Sequence, residues 1–366
     1  MSTATNMYAA PIDEIATAIR VTGHKVTTLV EGDMGCGKSS ILKMLAAELP
    51  THTPCYFDCT TKDLGDIMIP NIQATQGEDA VDFVSFATNE ELGVHLNKPI
   101  ILMLDEYGKA NPSVKNACLR LMLERQIGSR KLHPESIIFA TTNLGAEGVG
   151  DLLMPHHRNR MSVVQMRKPN NLEWIEWGLN NDIDPSILGW VKDNPHLLHG
   201  FQEVGKPEDN EYIFHPQSQR TAFVTPRSLE KASDWLHNRA EVSHGVLMGA
   251  LIGTIGDRGA LDLMTFVSMA DQLPSLESIQ KDPMNALVPT SPAAVCMVVY
   301  RSLSAMDRTW MDAWMDYMVR LDKEAQGMFA NGVRSDKYAK QQMVLTNKKF
   351  TDWAVENNYM FTADKK

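Results

Sequence analysis

GDMGCGKS, residues Gly32–Ser39, is the stretch on which the reading of this chain turns. It matches G-x-x-x-x-G-K-[ST] in full, directly after a β-rich run, VTTLVEG (Val26–Gly32), and directly before a helical one, SSILKMLAAELP, which Pro50 stops. Glycines at this spacing let backbone amides converge on phosphate oxygens, and the following helix N-terminus adds the positive end of its dipole. The pattern predicts that Gly32, Asp33, Met34, Gly35, Cys36, Gly37, Lys38, Ser39 and Ser40 wrap the phosphates of a nucleotide, ATP with Mg²⁺. Lys38 neutralises the β and γ phosphates, and the Ser39 hydroxyl is a metal ligand. Cys36 stands at a variable position and reads as a small, passive residue.

Working outward, IILMLDE (Ile100–Glu106) is an almost wholly apolar run ending in two carboxylates, as expected of a parallel strand buried on both faces. Asp105 at its end suits the hydration shell of Mg²⁺, and so contacts the metal through water. Glu106, one residue on, is placed to orient or deprotonate an attacking water. CYFDC (Cys55–Cys59), SIIFATTN (Ser136–Asn143) and SVVQM (Ser162–Met166) are further strands, and Asn143 is a candidate polar sensor between γ-phosphate and water. PIDEIATAIR sets Ile12, Ile15, Ala16 and Ile19 on one helical face, and Pro112 opens another helix. Alternating strands and helices predict a doubly wound α/β core over residues 10–167. Two stretches do not fit a minimal core: IMIPNIQ with AVDFVSFAT, and QIGSRKLHPE, each predicted as a projecting hairpin. Beyond RKPNN the apolar runs give way to amphipathic stretches with Trp174, Trp177, Trp190 and Trp235. These predict an all-α lid over 168–280 and a helical C-terminal extension over 281–366, with Trp310, Trp314, Met318 and Leu321 at helical spacing.

The composition narrows the class. Against 35 Lys and Arg stand 45 Asp and Glu, a formal net charge of −10, which disfavours nucleic acid as the main partner because phosphate neutralisation supplies most of that affinity. The five cysteines (Cys36, Cys55, Cys59, Cys118 and Cys296) form no CxxC pair, which argues against zinc or a disulfide framework. No apolar run reaches bilayer length, and the N-terminus lacks the basic-then-apolar pattern of a secretory signal; the expectation is a cytoplasmic protein without a membrane partner.

Taken together, these residues resemble the MoxR-like AAA+ ATPases of the helix-2-insert clade. LMLERQIGSRKLHPESIIFATTN is similar to the family's helix, pre-sensor hairpin and sensor 1 strand; LMPHHRNRM (Leu153–Met161) to its arginine-finger segment; and FVTPRSLE (Phe223–Glu230) to its sensor 2 motif. LEWIEWGLNNDIDPSILGW and LIGTIGDRGA resemble the family's helical lid, so the likeness spans roughly residues 10–280. The resemblance implies that Arg160, with Arg158 a nearby substitute, reaches the γ-phosphate of a neighbouring protomer, and that Arg227 couples nucleotide state to the lid. Met161 stands where the family usually has Phe, a change in packing behind the finger.

A finger acting in trans implies a homo-oligomer, a hexameric ring in this family, that turns ATP hydrolysis into remodelling of a protein client. Family members act with von Willebrand A-type proteins, so the client here would be a separate chain of that kind. The hairpins would face that client, with Ile67, Met68, Ile69, Phe83 and Phe86 serving either as contacts or as ordinary hairpin packing. Two other readings share the motifs. One is a nucleic-acid-stimulated AAA+ ring, for which Arg125–Lys131 and Lys348–Lys349 are the basic clusters; the other is an ATP-gated assembly scaffold.

Overall fold

In the computed structural model, residues 8–74, 82–144, 155–270 and 273–358 are described. The chain divides into two compact units, Met1–Lys168 and Pro169–Lys366.

Ten strands are described: β1 (Ala9–Ala10), β2 (Thr28–Gly32), β3 (Thr53–Asp58), β4 (Met68–Ala74), β5 (Asp82–Thr88), β6 (Ile100–Asp105), β7 (Gln126–Ile127), β8 (Arg130–Lys131), β9 (Ile137–Asn143) and β10 (Ser162–Met166). Six of them form a parallel sheet in the order β1-β10-β2-β9-β6-β3. With the GDMGCGKS loop leaving the carboxyl end of β2, this is the parallel α/β architecture with a phosphate loop that the sequence predicts. β1, two residues long, has no counterpart among the predicted strands.

The sheet forms because its central strands are apolar at consecutive positions, so that alternate residues feed opposite layers. Leu29, Ile100, Leu102, Leu104, Ile138 and Ala140 face one core with Val114, Cys118, Leu121 and Met122 of α4 (Pro112–Glu124). Val30, Ile101, Met103, Ile137 and Phe139 face the other, with Ile15 and Ile19 of α1 (Ile12–Thr22) and Ile41 and Leu45 of α2 (Ser40–Glu48). Ile100 through Leu104 are all fully buried, each contributing about 1.5–3 kcal/mol of apolar burial. Pro112 stands in the first turn of α4, and the Asn111 side chain accepts from Val114 N–H, the pairing that starts a helix there.

Both predicted hairpins are present. β4 and β5 pair antiparallel after the short α3 (Leu64–Ile67), and β7 pairs with β8. The loop of the first hairpin, 75–81, lies outside the described residues. Ile67 is fully buried and is therefore packing, whereas Ile69, Ile72, Phe83 and Val84 are exposed. A Cβ on Gly128 would sit 3.3 Å from Phe86 Cβ, so the turn of the second hairpin rests against the first.

The first unit also holds α5 (Pro155–Arg158). The second unit holds no strand among its described residues, and its α-helices are α6 (Asn171–Leu179), α7 (Pro185–Asp193), α8 (Pro226–His237), α9 (His244–Ala270), α10 (Leu276–Lys281), α11 (Pro292–Ala305), α12 (Met311–Met318), α13 (Lys323–Arg334), α14 (Gln341–Leu345) and α15 (Lys348–Glu356). The stretches read as lid (168–280) and extension (281–366) share one hydrophobic cluster running from Trp174 to Trp353. In it Trp314 meets Trp310, Tyr317 and Phe329, and Phe350 bridges Phe329 to Trp353. α9 kinks at Gly256, whose φ of 81° lies in the left-handed region that a side chain disfavours. A Cβ there would also approach Ala222 O to 2.8 Å.

Candidate nucleotide-binding site

The sheet register brings the predicted residues to one edge. Gly32, at the end of β2, stands level with Asn143 at the end of β9; on the far side, Asp105 of β6 is level with Asp58 of β3. The carboxyl ends of parallel strands are where α/β proteins open a crevice for ligands.

Within the loop, Gly35 and Gly37 take φ of 68° and 99°, which turns successive backbone N–H groups toward a common centre. Cys36 points the other way. It is buried among Ile15, Val30 and Ile41, and that burial pushes its thiol pKa up, as suits a passive apolar residue. Ser39 is the N-cap of α2 but caps no helical amide with its hydroxyl, and Ser40 opens the helix. Lys38, 6% exposed as a residue, donates from its ammonium to Gly32 O (2.8 Å), Asp33 O (2.9 Å) and Asn143 Oδ1 (2.7 Å). Those three acceptors saturate its three donors, so a phosphate oxygen would enter by replacing one of them. Asp33 is buried and ion-paired with Lys168 at 3.7 Å. Met34 is half-buried in the loop.

Asp105 is held from several sides. Its Oδ2 accepts from Tyr56 Oη at 2.9 Å, and its Oδ1 from the Glu106 N–H at 3.1 Å and the Thr141 hydroxyl. Glu106 adopts a left-handed backbone, φ 50° and ψ 35°, which turns the chain sharply at the strand end. Its carboxylate pairs with Lys109 at 2.9 Å. Among the described residues no cluster of His, Cys, Asp and Glu forms a protein cage for a metal. The donor set fits Mg²⁺ held by one hydroxyl, one carboxylate and phosphate oxygens, the usual arrangement for that ion.

Tyr56, Thr141, Lys109 and Lys168 belong to this site and were not singled out from the sequence. Only Lys109, one helical turn after Glu106, carried a local signal. Lys168 depends on the β10–β2 pairing, which sets Met166 beside Gly32.

The finger segment is described from Pro155 onward, so Leu153 and Met154 lie outside the described residues. Arg158 pairs with Glu31 of the same chain. Arg160 is exposed, and no ion pair is recorded for it among the described residues. Met161 is buried in the core behind it. Arg227 belongs to the second unit, exposed in the first turn of α8, which starts with a Thr225–Ser228 capping box and Pro226.

No protein-family model matches the sequence, and no curated protein matches it. Among solved structures, the chain is similar to the RuvB Holliday junction branch migration motor of Thermotoga maritima. The identity is 13% over 84% of this chain and 87% of that one, with a TM-score of 0.35. A proline-to-glycine variant of the same RuvB gives 14% identity over 75% and 74%, TM-score 0.36. A candidate ATPase from Cytophaga hutchinsonii gives 12% over 87% and 75%, TM-score 0.33. At these scores the likenesses carry no argument, and the functional reading rests on the site itself.

Proposed function

We propose that this chain is an ATP hydrolase of the MoxR-like AAA+ type, a ring-forming motor that remodels a protein partner. The observation that carries the reading is the gathering of Lys38, Asn143, Asp105 and Glu106 at one sheet edge beside a complete phosphate loop.

In this reading the loop amides and Lys38 grip the β and γ phosphates of ATP. Ser39 and, through water, Asp105 would hold Mg²⁺, which would supply positive charge to the phosphates. Asn143 turns from Lys38 toward the water that attacks the γ-phosphorus. Glu106 leaves Lys109 and takes that water's proton on a carboxylate oxygen, as the bond to the bridging β–γ oxygen breaks and ADP and phosphate form. Arg160 of the adjoining protomer supplies positive charge to the transferring group, which requires a ring, hexameric by resemblance. Arg227 couples the nucleotide to the helical unit. The client is a protein, a von Willebrand A-type chain by resemblance, and the location cytoplasmic.

The nucleic-acid reading finds little support in the basic clusters. Arg125 donates to Gly23 O at 2.8 Å and is buried enough to lower its pKa to about 10, while Lys349 is paired with Asp316 at 2.6 Å. Among the described residues no helix is long and apolar enough to cross a membrane.

Glu106→Gln tests the motor against the scaffold. The motor predicts that ATP stays bound while turnover falls by about 10²–10⁴-fold, the range for losing a general base. A scaffold predicts unchanged function, and an unchanged hydrolysis rate would contradict the proposal.

A further inference from the structure

We propose that Glu31 is a positioning residue that ties the phosphate loop of a protomer to the arginine finger that protomer offers its neighbour. This rests on the reading of Arg160 as a finger in trans.

Glu31 is the penultimate residue of β2, immediately before Gly32, with Thr142 beside it on β9 and Gln165 on β10. A carboxylate with its side chain 14% exposed between two neighbouring strands is costly unless paired, and its partner is the Arg158 guanidinium. Arg158 ends α5, two residues before Arg160. Backbone bonds from Arg160 N–H to His157 O (3.1 Å) and from Met161 N–H to Arg158 O (3.3 Å) close residues 157–161 into one tight turn. The backbone that carries Arg160 is thereby tied to the backbone of Arg158.

At the other end, Lys38 donates to the carbonyl oxygen of Gly32, the residue after Glu31. The contacts run without a gap from Lys38 through Gly32, Glu31 and Arg158 to Arg160. When Lys38 exchanges its bond to Asn143 for one to a phosphate, its ammonium shifts toward that phosphate and draws Gly32 O, and with it that end of the chain of contacts, along. The finger of the same protomer then moves, and the site it serves is the next one round the ring. Arg158 thereby becomes the strut and Arg160 the finger. The consequence is cooperativity between protomers, a coupling free energy carried by one ion pair.

The test is steady-state ATP hydrolysis by assembled Glu31→Gln, Arg158→Gln and the charge swap Glu31→Arg with Arg158→Glu, with Arg160→Ala in parallel. Either single variant is expected to lower kcat about tenfold and flatten a sigmoidal ATP dependence while KM stays within about twofold; the swap is expected to recover most of both losses. A merely structural role would lower the amount of folded, assembled protein and leave the shape of its ATP dependence unchanged. Should Glu31→Gln match the parent in kcat and curve shape while Arg160→Ala loses turnover, the coupling is overturned and the finger stands. Should Arg160→Ala keep full turnover, both fall. If a single variant fails to fold, as thermal melting would reveal, the swap decides alone: a folded swap with low, hyperbolic turnover overturns the coupling.

Discussion

Lys38 carries three N–H donors, and the structure gives all three a protein oxygen. A buried ammonium so satisfied is stable without ligand, and it exchanges one strong hydrogen bond for another when phosphate arrives. Removing it leaves only the loop amides and the bound metal to balance the charge on the β and γ phosphates. Lys38→Met is therefore expected to weaken nucleotide affinity by about 100-fold, some 3 kcal/mol, the upper range for a hydrogen bond to a charged group. Titration with a fluorescent nucleotide checks this, and affinity within a few-fold of the parent would contradict it. Much of this scale was legible beforehand, because GDMGCGKS and LMLDE are local patterns whose chemistry follows from residue type and spacing. Tyr56 and Thr141 were not, since their hydrogen bonds to Asp105 depend on which strands lie side by side. The Asp33–Lys168 pair joins residues far apart in sequence, and only the β10–β2 register brings them together.

At the scale of elements, β6 and β9 were readable because a buried parallel strand leaves an uninterrupted apolar run, while the two residues of β1 leave no period at all. The β4–β5 hairpin was readable from its alternation, but not which of its apolar residues face water. An isolated two-stranded hairpin is marginally stable, yet this one exposes Ile69 (62%) and Ile72 (76%). If those residues serve a client, Ile69→Ser with Ile72→Ser should leave the thermal midpoint and basal ATP turnover nearly unchanged, a stability effect within about 0.5 kcal/mol. Stimulation of turnover by a client protein should be lost. A large fall in the midpoint would instead make the hairpin part of the core. In α9 the kink has a different origin: Gly256→Val would place a branched side chain at positive φ against Ala222 O, and should destabilise the helical unit by more than the ~1 kcal/mol of an ordinary glycine replacement.

For the molecule as a whole, the two units can be observed separately. All seven tryptophans, Trp174, Trp177, Trp190, Trp235, Trp310, Trp314 and Trp353, lie in the second unit, so intrinsic fluorescence reports on it alone. That unit also buries groups that resist losing a proton. Burial, reinforced by Asp193, pushes the Cys296 thiol from 9.0 up to about 12, and burial against the opposing charge of Arg320 pushes the Tyr317 phenol from 10.0 up to about 12. Between about pH 9 and 12 the folded state keeps protons that the unfolded chain has released, so stability falls as pH rises through that window. The urea midpoint from tryptophan emission should thus decline above pH 9, and Cys296→Ala should flatten the decline. A midpoint constant to pH 11 would contradict this.

The central claim is that one active site is assembled from two protomers, with Lys38 and Glu106 from one and Arg160 from the next. It is tested most directly by mixing two disabled chains, Glu106→Gln, which keeps its finger, and Arg160→Ala, which keeps its phosphate loop and base. Each alone should hydrolyse ATP slowly. Mixed and allowed to exchange subunits, they should regain turnover, because the Arg160→Ala site can borrow the finger of its Glu106→Gln neighbour. Turnover of the mixture equal to the average of the two separate proteins, with subunit exchange verified, would contradict the shared site.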